Sequence, residues 1–275
     1  VSSSPSGKLE SEDGDTVASD LLEDIKLFKT GKKSPYLISG MPNFDDKARL
    51  SKNKYVLIAS QRKMGKTKFV INLTGRLMKY NKNVNVLYIS LEMTKKEIVT
   101  GYISSMCGVD ENEIISSKGV FDQAKYDLIE KHARDFAKMP FKIYDSPMNL
   151  SDLYNVCSNF CKGLPEDNIP IIVIDNIGLI RPNKKSATEF EDEIARTIKD
   201  IRDDCSCLIF AIHHLSKSSE TDANGGYEPK IAHVRGSSRL LDFCNTLMLL
   251  HRPGFYNDVV EMGDGMGIDI RNMFV

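Results

Sequence analysis

From about residue 54 onward, short apolar runs alternate along the chain with amphipathic stretches. Six of these runs have the length and residue types of β-strands, and they cover residues 55–59, 85–90, 141–144, 170–175, 207–212 and 246–250. Helical patterns lie between most of them. Because continuous apolar strands that alternate with helices are typical of parallel sheets, the pattern predicts an α/β fold. Its mostly parallel central sheet is expected to be covered by helices on both faces.

The best-marked helix covers residues 189–202. Ser186 and Glu189 have the spacing of a capping box, in which each side chain bonds the other residue's backbone N–H. The pattern therefore predicts a helix that begins just after Ser186 and packs on the sheet. The apolar side chains that recur on its inner face are Phe190, Ile194, Ile198 and Ile201.

Composition divides the chain into three segments. Residues 1–15 are rich in Ser, Gly, Asp and Glu and are predicted to be disordered. Residues 16–36 contain a short amphipathic helix, with Leu21, Ile25 and Phe28 at helical spacing, and a connection to the main domain. The apolar face of this helix needs a partner, which is either its own domain or a neighbouring subunit. Residues 37–275 are predicted to form one domain, since no repeat and no second pattern of this kind follows.

Composition and charge narrow the class of protein. A net charge of -1 and 41% hydrophobic residues are ordinary for a globular protein. There is no apolar run of about eighteen residues and no secretory signal, so we expect a cytoplasmic protein without membrane contact. Any nucleic-acid contact must come from a local basic surface. The cysteines lack CxxC spacing and the histidines lack metal spacing, so no zinc site is predicted.

The segment after the first predicted strand has the residue types of a phosphate-binding loop. It reads Ser-Gln-Arg-Lys-Met-Gly-Lys-Thr over residues 60–67, between an apolar strand and an apolar helix start. In such a loop the backbone N–H groups wrap the phosphates, while Lys66 reaches the β- and γ-phosphates and Thr67 ligates Mg²⁺. Ser60 stands where the usual motif has its first glycine. We expect nucleotide binding by Ser60, Gln61, Arg62, Lys63, Met64, Gly65, Lys66, Thr67 and Lys68.

Two carboxylates complete the predicted nucleotide site. Asp175 closes the apolar strand at 170–175, where a carboxylate can hold the Mg²⁺ water shell beside the phosphate loop. Glu92 lies at the carboxyl end of the strand after the phosphate loop, at the edge where open α/β sheets bind ligands. It is the candidate group for activating the attacking water. An exposed Glu at a helix start is the alternative for Glu92, and the residues alone leave both interpretations open.

Five motifs in order resemble the DnaB-like replicative helicases, and the match is closest to their bacteriophage members. The resemblance covers about residues 37–252. It implies a RecA-like P-loop ATPase that uses ATP or another NTP with Mg²⁺. It also implies a homo-oligomeric, hexameric ring that moves along single-stranded DNA, with a primase and a helicase loader as partners. The motifs are Met-Gly-Lys-Thr at 64–67, Tyr-Ile-Ser-Leu-Glu-Met at 88–93, Val-Ile-Asp at 173–175, His-Leu at 214–215 and Arg-Gly-Ser-Ser at 235–238.

The resemblance also implies roles for individual residues. The helix near residues 18–29 is placed like the family's linker helix, which packs on the adjacent subunit. His213 has no counterpart and is expected to be structural. The matched catalytic residues are Lys66 on the phosphates, Glu92 as the catalytic carboxylate and His214 as the sensor of the γ-phosphate, while Thr67 and Asp175 match the Mg²⁺-holding pair.

Two polar loops are predicted to contact DNA. They follow the strands at 170–175 and 207–212, so both leave the same edge of the sheet. Arg235 and Gly236 match the family segment that faces DNA in the central channel. Four lysines in these loops are candidates for sequence-independent phosphate contacts: Lys184, Lys185, Lys217 and Lys230.

An arginine finger is expected beyond Val275. The family supplies this arginine near its C-terminal end, and Arg271-Asn272 lies in an apolar stretch that indicates a strand. The domain is therefore expected to be truncated at its C-terminus. A chain without the finger should hydrolyse ATP slowly, because a trans arginine contributes about 10³-fold or more in rate.

Two other classes of function remain open at this point. A RecA-like recombination or loader ATPase would bind ATP and DNA without unwinding. A nucleotide-gated assembly module would use ATP only to set its assembly. The motifs at 88–93 and 235–238 favour the helicase motor over the first of these.

Overall fold

The computed structural model describes residues 13–30, 34–115, 123–182, 186–215, 228–234 and 238–252. Its strands are β1 (Lys54–Ser60), β2 (Val84–Ser90), β3 (Phe141–Tyr144), β4 (Ile169–Asp175), β5 (Leu208–His214) and β6 (Thr246–Leu249). Its α-helices are α1 (Gly14–Lys29), α2 (Pro42–Ala48), α3 (Lys66–Tyr80), α4 (Lys95–Cys107), α5 (Glu111–Ile115), α6 (Gln123–Phe136), α7 (Leu150–Lys162), α8 (Ala187–Cys205) and α9 (Ser238–Phe243). Two short 3₁₀ helices within these ranges cover Ile177–Leu179 and Ile231–His233.

The six strands form one sheet in the order β3-β2-β4-β5-β1-β6, and every neighbouring pair is parallel. The predicted parallel sheet is therefore confirmed. Strand β5 runs two residues past the predicted end, because its pairing with β1 continues as far as Ser60 opposite His214. The order places β5 between β1 and β4, and this brings the ends of all three strands together.

Both faces of the sheet are buried, as a doubly covered sheet requires. Alternate residues of one strand point to opposite faces, so Leu57 joins one core cluster and Val56 joins the other. Ile198 of α8 packs in the first cluster and Leu73 of α3 in the second. The helices that carry the site are thus fixed to the sheet from both sides.

Side-chain caps set where several helices begin. Ser186 and Glu189 form the predicted capping box at the start of α8. A second box, Thr94 with Glu97, opens α4. These caps satisfy backbone N–H groups that have no partner inside the helix, and each contributes about 1 kcal/mol to helix stability.

Helix α1 presents apolar side chains to solvent. None of its residues is buried, and Leu21 and Leu22 are 57% and 59% exposed. The described part of the chain therefore gives no support to docking of this helix on its own domain. The helix begins at Gly14, inside the segment 1–15 that was predicted to be disordered.

No helix in the described ranges has both the length and the apolar character needed to cross a membrane.

Candidate active site at the carboxyl edge of the sheet

The predicted catalytic residues meet where the parallel strands end. Ser60 closes β1 opposite His214 of β5, and Asp175 closes β4 opposite Ser90 of β2. Glu92 follows β2 by two residues. These side chains are far apart in sequence, but they lie at the same edge of the sheet because they stand at or just after the ends of four neighbouring strands.

The phosphate-binding loop connects β1 to α3. Gly65, the residue before the helix, has φ +85, and no heavy atom lies within 4 Å of the place a Cβ would take. The glycine is needed for its left-handed backbone rather than for space. The loop ends at the N-terminus of α3, where backbone N–H groups and the helix dipole favour an anion.

Lys66 is buried at the base of this loop. Its side chain is 5% exposed, and Nζ donates to Ser60 Oγ at 2.9 Å and to the Gln61 carbonyl at 2.8 Å. Burial lowers the pKa of Lys66 to about 8, although the carboxylates of Asp175 and Glu92 act in the opposite direction. The serine that replaces the usual first glycine therefore supplies an acceptor for the lysine.

Asp175 is held by two hydroxyl groups. Thr67 Oγ1 donates to Asp175 Oδ2 at 2.7 Å, and Tyr88 OH donates to the same oxygen at 2.9 Å. Asp175 is 2% exposed, and its burial raises the carboxyl pKa, while the two hydrogen bonds counteract that shift. A hydroxyl and a carboxylate side by side are the hard oxygen donors that Mg²⁺ prefers, so the residues fit a divalent cation.

Glu92 lies in a turn between β2 and α4. The turn is closed by Ser90, whose Oγ accepts from Met93 N at 3.2 Å and donates to the Met93 carbonyl at 2.6 Å. The carboxylate that caps α4 is Glu97, not Glu92. Glu92 therefore does not supply the cap of α4.

Two side chains of the described residues contact the Glu92 carboxylate. Asn176 Nδ2 donates to Glu92 Oε2 at 3.1 Å, and His214 Nε2 lies 3.4 Å from the same oxygen. Burial, followed by the charge of Lys66, lowers the pKa of His214, and Glu92 opposes this. The contacts place a neutral amide and an imidazole against the candidate base.

His213 precedes His214 on β5, so its side chain lies on the opposite face of the strand. Burial lowers its pKa to about 4. Its Nδ1 is buried without a hydrogen-bond partner among the described residues. It is therefore a neutral, largely enclosed side chain, consistent with the structural role predicted for it.

The remaining predicted site residues differ in exposure and in the contacts that the structure describes. Arg62 and Lys63 are exposed on the phosphate loop, and Met64 is buried. Lys68 Nζ lies 3.7 Å from Glu111 Oε2, so its side chain is directed towards α5. The candidate DNA contact Lys230 is exposed and donates its backbone N–H to His233 Nδ1 at 3.0 Å. The other candidates, Lys184, Lys185, Lys217, Arg235 and Gly236, lie outside the described residues.

Two residues of the site were not predicted from the sequence. Tyr88 has the pattern of an ordinary apolar residue of β2, and only the pairing of β2 with β4 brings its hydroxyl to Asp175. Asn176 follows Asp175 directly, and its polar side chain is 3% exposed. A polar residue next to the carboxylate that ends an apolar strand is the signal that could have identified it.

The strand order and the phosphate loop define a RecA-like P-loop fold. Residues 37–270 match the model of the DnaB-like helicase C-terminal domain, and the chain belongs to that family. The ATPase domain of G40P has the same fold, with a TM-score of 0.79 and 21% identity over 90% of this chain and 87% of that one. A second solved structure, described as that of a DnaB-like replicative helicase and its interactions with primase, has a TM-score of 0.77 and 20% identity over 92% of this chain and 60% of that one.

Curated relatives are named as replicative DNA helicases. A probable replicative DNA helicase of Trieres chinensis is 26% identical over 90% of this chain and 55% of its own length. The replicative DNA helicase DnaB of Rickettsia typhi is 23% identical over 88% of this chain and 50% of its own length. The chain therefore spans about half the length of the curated relatives it matches.

Proposed function

We propose that this chain is the ATP-hydrolysing motor of a replicative DNA helicase, which moves along single-stranded DNA in the cytoplasm and unwinds the duplex. The observation that carries the proposal is the meeting of Lys66, Thr67, Asp175, Glu92 and His214 at one sheet edge. The DNA substrate is inferred from the family and from relatives named as replicative helicases.

Binding of ATP is assigned to the loop at 60–67 and the start of α3. The backbone N–H groups of the loop would cradle the phosphates, as at other helix N-termini. Lys66 Nζ lies against Ser60 and Gln61 and would move to the β- and γ-phosphates. Its ammonium offsets the charge that develops on the transferred phosphoryl group.

Thr67 and Asp175 are the residues that would hold Mg²⁺, directly or through its water shell. When bound, Mg²⁺ neutralises phosphate charge in this class of reaction. Tyr88 keeps the Asp175 carboxylate in place through the hydrogen bond from its hydroxyl.

Glu92 is proposed to orient the attacking water and to accept its proton. The carboxylate is half exposed, so water can reach it, and it lies beside the phosphate loop. His214 contacts the same carboxylate from the strand next to β1. This position allows His214 to respond to the γ-phosphate and to pass that response to Glu92.

Assembly and DNA binding extend the proposal beyond the described site. The exposed apolar face of α1, with Leu21 and Ile25, is proposed to pack on a neighbouring subunit of a hexameric ring. DNA contacts are assigned to Arg235 and Gly236, with a helicase loader and a primase as further partners. One fold neighbour is a DnaB-like helicase studied with primase, which supports the last point.

The test is ATP hydrolysis with and without single-stranded DNA, on this chain and on a version extended past Val275. The motor proposal expects DNA to stimulate hydrolysis by the extended version and Glu92→Gln to abolish it. If DNA does not change the rate of ATP hydrolysis by the extended version, a nucleotide-gated assembly module becomes the better account of this chain. The recombination alternative is not favoured by the relatives, and a forked-duplex unwinding assay separates it from the motor.

A further inference from the structure

Asn176 uses both ends of its side chain inside the site. Its Oδ1 accepts the backbone N–H of Gly178 at 2.8 Å, and its Nδ2 donates to Glu92 Oε2 at 3.1 Å. An N–H donor requires the amide oxygen opposite it, so the orientation of the amide is fixed by the Gly178 contact. The nitrogen must then face the carboxylate.

Glu92 needs such a contact to hold one position. Its side chain is 50% exposed and stands on a turn, not on a strand. A long side chain in this setting has several rotamers, and fixing it in one of them costs conformational entropy. Asn176, by contrast, is 3% exposed and follows directly on β4, so it is the rigid member of the pair.

The two contacts to Glu92 differ in length and in kind. The amide nitrogen of Asn176 is at 3.1 Å and the His214 nitrogen is at 3.4 Å, and both reach Oε2. No hydrogen bond among the described residues engages Oε1. Oε2 is therefore held by hydrogen bonds, and Oε1 can accept a hydrogen bond from a water molecule.

We propose that Asn176 is the positioning residue for hydrolysis, which holds the Glu92 carboxylate in its working position from the end of β4. The inference rests on the proposed function, in which Glu92 activates the attacking water. Asn176 directly follows Asp175. One short segment therefore fixes the positions of both carboxylates, that of Asp175, assigned to Mg²⁺, and that of Glu92, assigned to the water. Asn176 acts through Glu92 and makes no contact with the reacting atoms.

The test variant is Asn176→Asp, which has the same shape. Its carboxylate oxygen still accepts from Gly178, but the donor to Glu92 is lost and a like charge faces that carboxylate. We expect kcat for ATP to fall at least about tenfold. General-base catalysis contributes about 10²-fold or more to the rate, and a misplaced base loses much of this contribution. The KM for ATP should change less than about threefold, since uniform binding is untouched.

The double variant Asn176→Asp with Glu92→Gln separates positioning from a structural role. In the double variant the amide introduced at position 92 can donate to the carboxylate introduced at position 176, so the hydrogen bond returns with its polarity reversed. Tm should recover relative to Asn176→Asp alone. Any residual single-turnover rate should match that of Glu92→Gln alone, because the base is already absent.

The outcomes distinguish this inference from the function on which it rests. Wild-type kcat in Asn176→Asp, together with loss of turnover in Glu92→Gln, overturns the inference and leaves the function standing. Wild-type turnover in Glu92→Gln removes the assigned role of Glu92, and the inference falls with it. The double variant gives the third outcome. If its rate is lower than that of Glu92→Gln alone and its Tm does not recover, Asn176 has a structural role and the proposal is overturned.

Discussion

The Thr67 hydroxyl donates a 2.7 Å hydrogen bond to Asp175 Oδ2 across 108 positions of sequence. The bond joins the first turn of α3 to the end of β4. The two side chains assigned to Mg²⁺ are therefore already adjacent in the folded chain. Little reorganisation is then needed to form the metal site, since the oxygen donors are preorganised.

Substitution of Thr67 tests this pair. Thr67→Val removes the hydroxyl, and we expect kcat to fall about 100-fold, equivalent to about 2.7 kcal/mol of transition-state stabilisation. The buried Asp175 carboxylate also loses a donor, so the free energy of unfolding should drop by about 1–3 kcal/mol. Steady-state hydrolysis over a Mg²⁺ series and urea unfolding measure the two effects. Thr67→Ser is the matched control, which keeps the hydroxyl and should retain most of the rate.

Tyr88→Phe should destabilise the protein by about 1–3 kcal/mol, because its hydroxyl donates to a buried charged acceptor. Tyr102→Phe is the matched control. Its hydroxyl is also fully buried, but it bonds the neutral Thr74 hydroxyl at 2.5 Å, so its loss should cost about 1 kcal/mol. Urea unfolding of both variants gives the comparison. A loss for Tyr88→Phe no larger than that for Tyr102→Phe would contradict a special role for the bond to Asp175.

Lys66 should make stability depend on pH in the alkaline range. Its pKa is about 8 in the folded protein, against an ordinary value of 10.5, so between these values the unfolded chain binds more protons. Stability from this group therefore rises as pH increases from 8 to 10.5. Lys66→Met removes the titrating group, so the variant should lack this rise in stability. The Tm difference, variant minus wild type, should therefore decrease as pH increases from 8 to 10.5. A constant difference would mean that the ammonium is not destabilised by burial.

His213 should contribute to acid sensitivity without affecting turnover. Its pKa is about 4 when folded, against an ordinary value of 6.5, so the unfolded chain binds the extra proton between these values. Stability from His213 is then lost as pH falls from 6.5 to 4. In His213→Leu, the loss of Tm over this range should be smaller than in the wild type, and kcat should stay within about threefold of the wild-type value. Melting curves between about pH 4 and pH 7 and hydrolysis near neutral pH are the measurements.

For His214 we expect the reverse pattern, a loss of turnover with little loss of stability. His214→Leu removes the imidazole that contacts Glu92 and is expected to lower kcat at least about tenfold with little change in Tm, since the residue is partly exposed. Comparison with His213→Leu in the same assays separates the two neighbours. Equal losses of kcat in the two variants would show that the assignment of roles along β5 is wrong.

The sequence was sufficient to predict the parallel sheet, the capping box at Ser186 and the phosphate loop, because each has a local pattern. The order of motifs also placed Asp175 and Glu92 on one edge. The links between them could not be predicted in this way. The hydrogen bonds of Tyr88 to Asp175 and of Asn176 to Glu92 depend on which strands are neighbours, and no local pattern encodes strand order.

Among the described residues, strand β1 is the first strand of the sheet to be synthesised, yet its two partners, β5 and β6, are the last two of the described strands. On the ribosome the phosphate loop therefore follows an unpaired apolar strand until β5 and β6 have emerged. Non-local pairing of this kind slows folding and exposes an edge that can aggregate. We expect nucleotide binding to begin only after this late pairing, so retention on an ATP-coupled resin would report that β1 has joined the sheet.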